Sequence, residues 1–520
     1  MPLRNIGFSL VLALLFALPT PSRAADPYEA ARAAYNAEDY VRSAALFREL
    51  AVKGDAYAQM YIGVLYHSGQ GVAQDYFEAF EWFQKAADNG DVTAMHNIGV
   101  YYQNGYGTDQ DHEEAIYWYQ QAANNGYPNA LHNLAVYFEQ GFEVPKDLTK
   151  AAQLYKAAAE KGYANSQHNY AFFSLEGQGI PQNTVDALFW FKQAAEQNFA
   201  PSQYNLAKLY ANGQGIQQDI NLAFYWYKRA AENGHATAQF FTALYSEEGK
   251  GTEQSYTAAR EWYEKAAAQG VSSAQYNLGL LYDFGSFGTA DQAEAARWYK
   301  MAAEQGHTSA QNNLAFLLER GSGVEKDEQE ALRYYRMAAE AGDAMAQKNM
   351  GNLYDSGDLV EQNDAEAARW YRLAAEQGND AAQFNLGVFY VEGRGVEQNY
   401  TEAFKWYRLA ADQNNAEGYL GLGDLYEEGQ GVPKDLAKSA EMYLTAADLG
   451  LGAAQYNIGM MYVEGSGVDT DFIEAHRWLT LAQEAGTAEA PEKLADLVAK
   501  MTPAQIAEAE KRRAAWQQKQ

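Results

Sequence analysis

Two ladders of polar side chains are the first candidates for chemistry. His96, His132 and His168 recur every 36 residues, and one residue later stands a longer series: Asn97, Asn133, Asn169, Asn205, Asn277, Asn313, Asn349, Asn385 and Asn457. Imidazoles in register could bind a metal or respond to pH near neutrality. One zinc ion, however, asks for ligands about 2 Å away, whereas neighbouring helices pack about 8–10 Å apart, so such a ladder does not assemble a metal site. A pH-responsive strip and ordinary surface histidines are the readings that remain. Asn is a mediocre helix former, so its recurrence calls for a hydrogen-bonding reason: bonds within or between repeats, or a clamp on the backbone of a bound peptide.

Catalytic motifs are missing. The chain has no Ser-x-x-Lys, no Gly-x-Ser-x-Gly and no P-loop. His112-Glu113-Glu114-Ala115-Ile116 opens like a zinc-protease motif but has Ile116 in place of the second histidine, and reads as an acidic helix start. No catalytic, cofactor-binding or metal-binding residue is assigned.

The elements that carry these ladders are repeats. The pattern W-Y-x-x-A-A-x-x-G returns every 36 residues, giving twelve units from 55–90 to 451–486 without insertion. Each unit divides into helix A, a glycine loop and helix B; in 379–414 the helices are predicted over 380–392 and 400–413. A glycine, from Gly69 to Gly465, ends helix A in every unit, and Asp, Asn or Ser six residues later opens helix B. Glu78 behind Asp75, and Glu402 behind Asn399, suggest capping boxes. Small residues recur at fixed places in both helices, where close approach is required. Nine of the ten tryptophans occupy one helix B position and are predicted to be core.

The expected fold is therefore all-α, a solenoid of twelve 36-residue helix-turn-helix repeats with helical caps at both ends. Residues 25–54 form the first cap and 487–520 the second, in which Thr502-Pro503-Ala504-Gln505 is a capping box with proline at the first helical position. Residues 1–24 read as a cleaved signal peptide: Arg4, an apolar stretch from Ile6 to Leu18, then Ser22-Arg23-Ala24-Ala25. That stretch falls short of the roughly 20 residues of a membrane span, and no span is expected after cleavage. The chain has no cysteine, so no disulfide holds it. Its formal charge of −29 repels phosphate backbones and argues against nucleic acid as a partner.

The segments Ala274 to Tyr282 (A-Q-Y-N-L-G-L-L-Y) and Ala296 to Gly306 (A-R-W-Y-K-M-A-A-E-Q-G), joined by the glycine loop, resemble the Sel-one-like repeat (SLR) family, a 36-residue relative of the tetratricopeptide repeat. The resemblance spans residues 55–486. It implies a right-handed α/α superhelix acting as a non-enzymatic protein–protein adaptor in the periplasm or secreted space, with a sensor, a secretion component or a cell-wall enzyme as partner. Cysteine-rich relatives have been linked to β-lactam processing, a transfer that the absence of cysteine weakens. The tetratricopeptide register implies that one helix A stripe lines the concave face: His96, His132, His168, Tyr204, Phe240, Tyr276, Lys348, Phe384 and Tyr456, with Met60, Asn312 and Leu420 in the remaining repeats. Its aromatic members suit an extended peptide or, alternatively, a glycan such as peptidoglycan or exopolysaccharide.

Overall fold

A computed structural model describes residues 28–518; the segment read as a signal peptide lies outside them. Among the described residues there are 28 helices and no strand. The first cap is the pair Glu29–Asn36 and Tyr40–Ala51, the twelve A/B pairs follow, and Ala490–Val498 and Pro503–Gln517 close the chain. The described residues form two compact units, which divide between Lys265 and Ala266. Within each unit helix A packs on its own helix B, and that helix B on the next helix A, in repeat after repeat, as Asp380–Glu392 does on Tyr400–Ala411 and the latter on Ala416–Glu428. This serial stacking is what makes a repeat array a solenoid.

Local signals place the helix ends. In repeat 10, helix A is Asp380–Glu392 and helix B is Tyr400–Ala411, the latter ending two residues before the predicted limit. Gly393 follows helix A at φ 70, a left-handed conformation that costs glycine nothing. Asn399 then opens helix B, its side chain accepting from the Thr401 and Glu402 N–H groups.

The reciprocal half of the expected capping box is absent at these positions. The cap residue's own N–H is already taken by a helix A carbonyl: Asp75 N–H donates to Tyr66 O at 3.0 Å and Asn399 N–H to Tyr390 O at 2.9 Å. Thr502 with Gln505 does form the full box.

Packing corrects the tryptophan assignment. Trp82, Trp190, Trp370 and Trp478 are buried, but Trp118, Trp226, Trp262, Trp298 and Trp406 are only half-buried. The continuous core ladder is the next residue, buried in all twelve repeats: Phe83, Tyr119, Tyr155, Phe191, Tyr227, Tyr263, Tyr299, Tyr335, Tyr371, Tyr407, Tyr443 and Leu479. Where the small residue of helix A is glycine, the ladder residue lies directly against it. At Gly279 an added Cβ would come 2.5 Å from Tyr299 Cδ1. Many of the hydroxyls then find an acceptor at the end of helix A, as Tyr335 does on Glu319 (2.8 Å) and Tyr155 on Glu139 (2.6 Å). Buried phenols are thereby satisfied without opening the core to water.

Candidate functional site

The helix A stripe lies at the joints between repeats. In the first unit His96 is fully buried; its Nε2 is 3.2 Å from Asn133 Nδ2, and its ring packs against Tyr119 and Tyr127 at 5.6 and 5.4 Å. His132 Nδ1 lies 2.8 Å from Ser166 Oγ, and His168 Nδ1 the same distance from Ser202 Oγ. Half-buried Tyr204 stacks on His235 at 4.6 Å, and half-buried Phe240 packs on Tyr263 at 5.9 Å.

In the second unit Tyr276 stacks on His307 at 4.6 Å and Phe384 on Tyr407 at 5.6 Å, while Lys348 and Tyr456 are half-buried. The aromatic and histidine members of the stripe are thus wedged against their own helix B and, in several repeats, the residue that begins the next helix A. The signal was present in the sequence as a pairing 31 residues apart: His96/Tyr127, His132/Tyr163, His168/Phe199, Tyr204/His235 and Tyr276/His307.

This placement overturns the reading of His96 and His132 as surface residues, while His168 is half-buried. His96 and His132 are interior groups, each with its own partner, and among the described residues no three metal-ligating side chains converge. Burial pushes the imidazoles of both His96 and His132 down to about 4 from an ordinary 6.5. A base whose folded pKa is depressed contributes fully above the unfolded value, and that contribution is lost as pH falls toward the folded value. The melting temperature is therefore expected to hold above pH 6.5 and to fall between pH 6.5 and 4, with a shallower fall in His132→Gln. Circular-dichroism melts across that range check this, and identical slopes for the two chains would refute it.

The asparagine ladder is largely occupied. Asn97 and Asn133 are buried, and Asn133 hydrogen-bonds Tyr119 as well as His96. Asn205 donates to Pro201 O at 3.0 Å, Asn313 bonds Tyr299, Asn349 donates to Asn312 Oδ1 at 2.9 Å, and Asn385 reaches Asn352 at 3.5 Å. Asn169, Asn277 and Asn457 are half-buried. Four of the nine amides, Asn133, Asn313, Asn349 and Asn385, serve the joints, and the ladder is not an open row of exposed donors.

The main polar tie between repeats is a glutamine that sequence reasoning missed. Gln347 Nε2 donates to Ala339 O of the preceding helix B at 3.0 Å, and its Oε1 accepts from Gln377 at 2.7 Å. Gln59, Gln167, Gln203 and Gln383 repeat both bonds. A recurring Gln with Gln or Asn 30 residues later was the available signal. Buried amides held at both ends specify register as well as stability.

One stripe member stands apart. Lys348 is half-buried with no ion pair among the described residues, and burial pushes its ammonium pKa down. One turn later on the same helix, exposed Asn352 accepts from Tyr371 at 2.8 Å. A cation partly removed from water, beside oriented amides in a strongly acidic chain, can receive a carboxylate.

The comparisons with known proteins agree with this architecture. The Sel1 repeat model matches twelve consecutive times, from 56–91 to 452–486. A protective antigen of uropathogenic Escherichia coli with an SLR fold is 30% identical over 91% of this chain and 94% of its own, with a TM-score of 0.60. A Sel1 repeat protein from Oxalobacter formigenes is 32% identical over 59% of this chain and 90% of its own, with a TM-score of 0.50. None of the curated proteins compared matches the chain. Stacked A/B pairs, glycine-ended helices and twelve matched repeats together make this chain a member of the Sel1 repeat family, within the tetratricopeptide-like superfamily.

Proposed function

We propose that the chain is a non-enzymatic scaffold of the bacterial periplasm or secreted space, and that it holds a segment of a protein partner along the exposed edges of the helix A stripe. The observation that carries this reading is Lys348, a half-buried cation without an internal counter-charge. Keeping an ammonium partly desolvated costs stability, which a partner's carboxylate would offset. Tyr276, Phe384 and Tyr456 offer half-exposed aromatic surface in the same stripe. Export rests on the Arg4-led apolar segment, and the antigenic character of the Escherichia coli relative supports it.

Capture from a bacterial envelope extract tests the scaffold. Lys348→Met is expected to raise the melting temperature and to abolish capture of the wild-type partner. Capture unchanged by Lys348→Met and by Tyr276→Ala with Phe384→Ala would overturn the helix A reading. Retention on purified glycan, with no protein captured, would favour the glycan alternative. A specific feature supports that second reading: Tyr117, Phe189 and Tyr225 are about half exposed (53%, 52% and 47%) and meet Trp118, Trp190 and Trp226 edge-on.

A further inference from the structure

The C-terminal helix Pro503–Gln517 shows what the outer face of a helix B accepts. It packs against helix B of repeat 12 (Phe472–Glu484) and reaches the end of helix B of repeat 11 (Leu436–Asp448). Four side chains receive it. The Trp516 ring meets Trp478 edge-on at 5.9 Å, and its indole N–H donates to Asp448 Oδ1 at 2.9 Å. Arg512 donates to Glu474 at 2.7 Å; Arg513 donates to Glu484, as does Gln517 at 2.9 Å. Glu474 also pairs with Arg477 of its own helix at 2.7 Å, so a local ion pair does not exclude an incoming guanidinium.

The same receptor set recurs upstream in the second unit. In repeat 9, Glu340, Glu366, Trp370 and Glu376 hold the places of Asp448, Glu474, Trp478 and Glu484. Repeats 8 and 10 repeat the set, with Glu330 and Tyr334, and with Glu402 and Trp406, at its centre. The local geometry is conserved along the chain: Arg369 pairs with Glu366 at 2.9 Å and lies 4.2 Å over Trp370, as Arg477 lies 4.2 Å over Trp478. Glu340 and Glu376 are exposed and carry no ion pair among the described residues.

The difference between these repeats and repeat 12 is cover. Leu481, beside Trp516, is 4% exposed, whereas its counterparts Met337 in repeat 8 and Leu409 in repeat 10 are 38% and 45% exposed and Leu373 in repeat 9 is half-buried. Between the helices B of repeats 7 and 8 lies an open groove of about 670 Å³, floored by Ala296, Leu314, Leu318 and Val324 and edged by Tyr334 and by charges of both signs, Glu325, Asp327 and Glu330 with Arg297, Lys300 and Lys326. An apolar floor with a charged rim suits an amphipathic helix, and the exposed Glu340 and Glu376 favour a cationic one.

We propose that the outer faces of helices B in repeats 8–10 dock a basic amphipathic helix of a protein partner. That helix presents a tryptophan with arginines three and four residues before it, as Trp516 follows Arg513 and Arg512. The net charge of −29 favours a basic ligand. A second copy of this chain is the poorer occupant, because its own helix is already seated on repeat 12. This inference rests on the scaffold reading and names the partner's chemistry.

A labelled peptide of residues 502–518, titrated into the full-length chain, tests it. Expected are saturable binding that weakens with salt, and hydrogen-exchange protection over 328–340, 364–376 and 400–411. Affinity should fall at least tenfold in the Glu340→Lys/Glu376→Lys chain and for peptides carrying Trp516→Ala or Arg512→Glu. Protection confined to 472–484 would mean exchange with the chain's own helix and would overturn the proposal, as would an affinity indifferent to the substitutions. Concentration-dependent self-association lost in the same chain variant would assign the faces to a second copy and equally overturn it. If the chain variant misfolds, the peptide variants still decide. Envelope capture that survives Glu340→Lys/Glu376→Lys but not Lys348→Met would leave the scaffold reading standing and sink this one.

Discussion

Gly323→Ala is expected to destabilise the second unit far more than Gly306→Ala, although both glycines have positive φ. Gly323 is the second glycine of its loop and sits on the start of the preceding helix B, where an added Cβ would come 2.5 Å from Ala293 N with nowhere to move. Left-handed strain and backbone overpacking together cost on the order of 3–5 kcal/mol. At Gly306 (φ 85) no atom lies within 4 Å of the added Cβ. Its penalty is the conformational one alone, about 1–2 kcal/mol. The chain itself shows that this second place tolerates a side chain: Asn198 and Asn414 stand there at φ 63. Thermal melts with hydrogen exchange on 292–304 and 308–320 measure the contrast, and equal effects would refute it. Exchange is needed because damage to one joint of a repeat array can split the transition instead of shifting it as a whole.

Tyr299→Ala should likewise cost more than Trp298→Ala, the reverse of what the more prominent residue suggests. Tyr299 is fully buried against Gly279, and its hydroxyl donates to Asp283 at 3.2 Å. Removing a buried aromatic of this kind costs about 3–5 kcal/mol. Trp298 is half-buried, with Arg297 4.3 Å over its ring. Its loss should cost roughly 1–2 kcal/mol, since much of its surface stays wet. Urea melts of the two variants give the order directly; a larger loss for Trp298→Ala would restore the tryptophan as the core ladder.

These contrasts mark how far the sequence could be read. Repeat length, helix ends and caps were legible because they depend on contacts within a few residues: Gly393 ends a helix wherever a left-handed residue is needed, and Asn399 caps one through its own side chain. The capping boxes failed because the Asp75 and Asn399 N–H groups were claimed by carbonyls nine residues earlier. The surface histidines failed because the partner of His96 is Asn133, 37 residues away in the next repeat. A single chain reveals such pairs only as recurrences at separations of 30 to 37 residues, and the Gln347–Gln377 tie was passed over for the same reason.

By itself the sequence determined the all-α repeat architecture, because fixed spacing and local backbone preference suffice for it. Only the tertiary structure decided which side of each helix meets a neighbour. That turned the histidine stripe into joints, moved the core ladder from Trp298 to Tyr299, and left Lys348 without a counter-charge among the described residues. It also seated the helix Pro503–Gln517 on repeat 12 while Met337 and Leu409, at the matching places of repeats 8 and 10, stay exposed. Burial and pairing are properties of surfaces brought together, and neighbours in space can be distant in sequence.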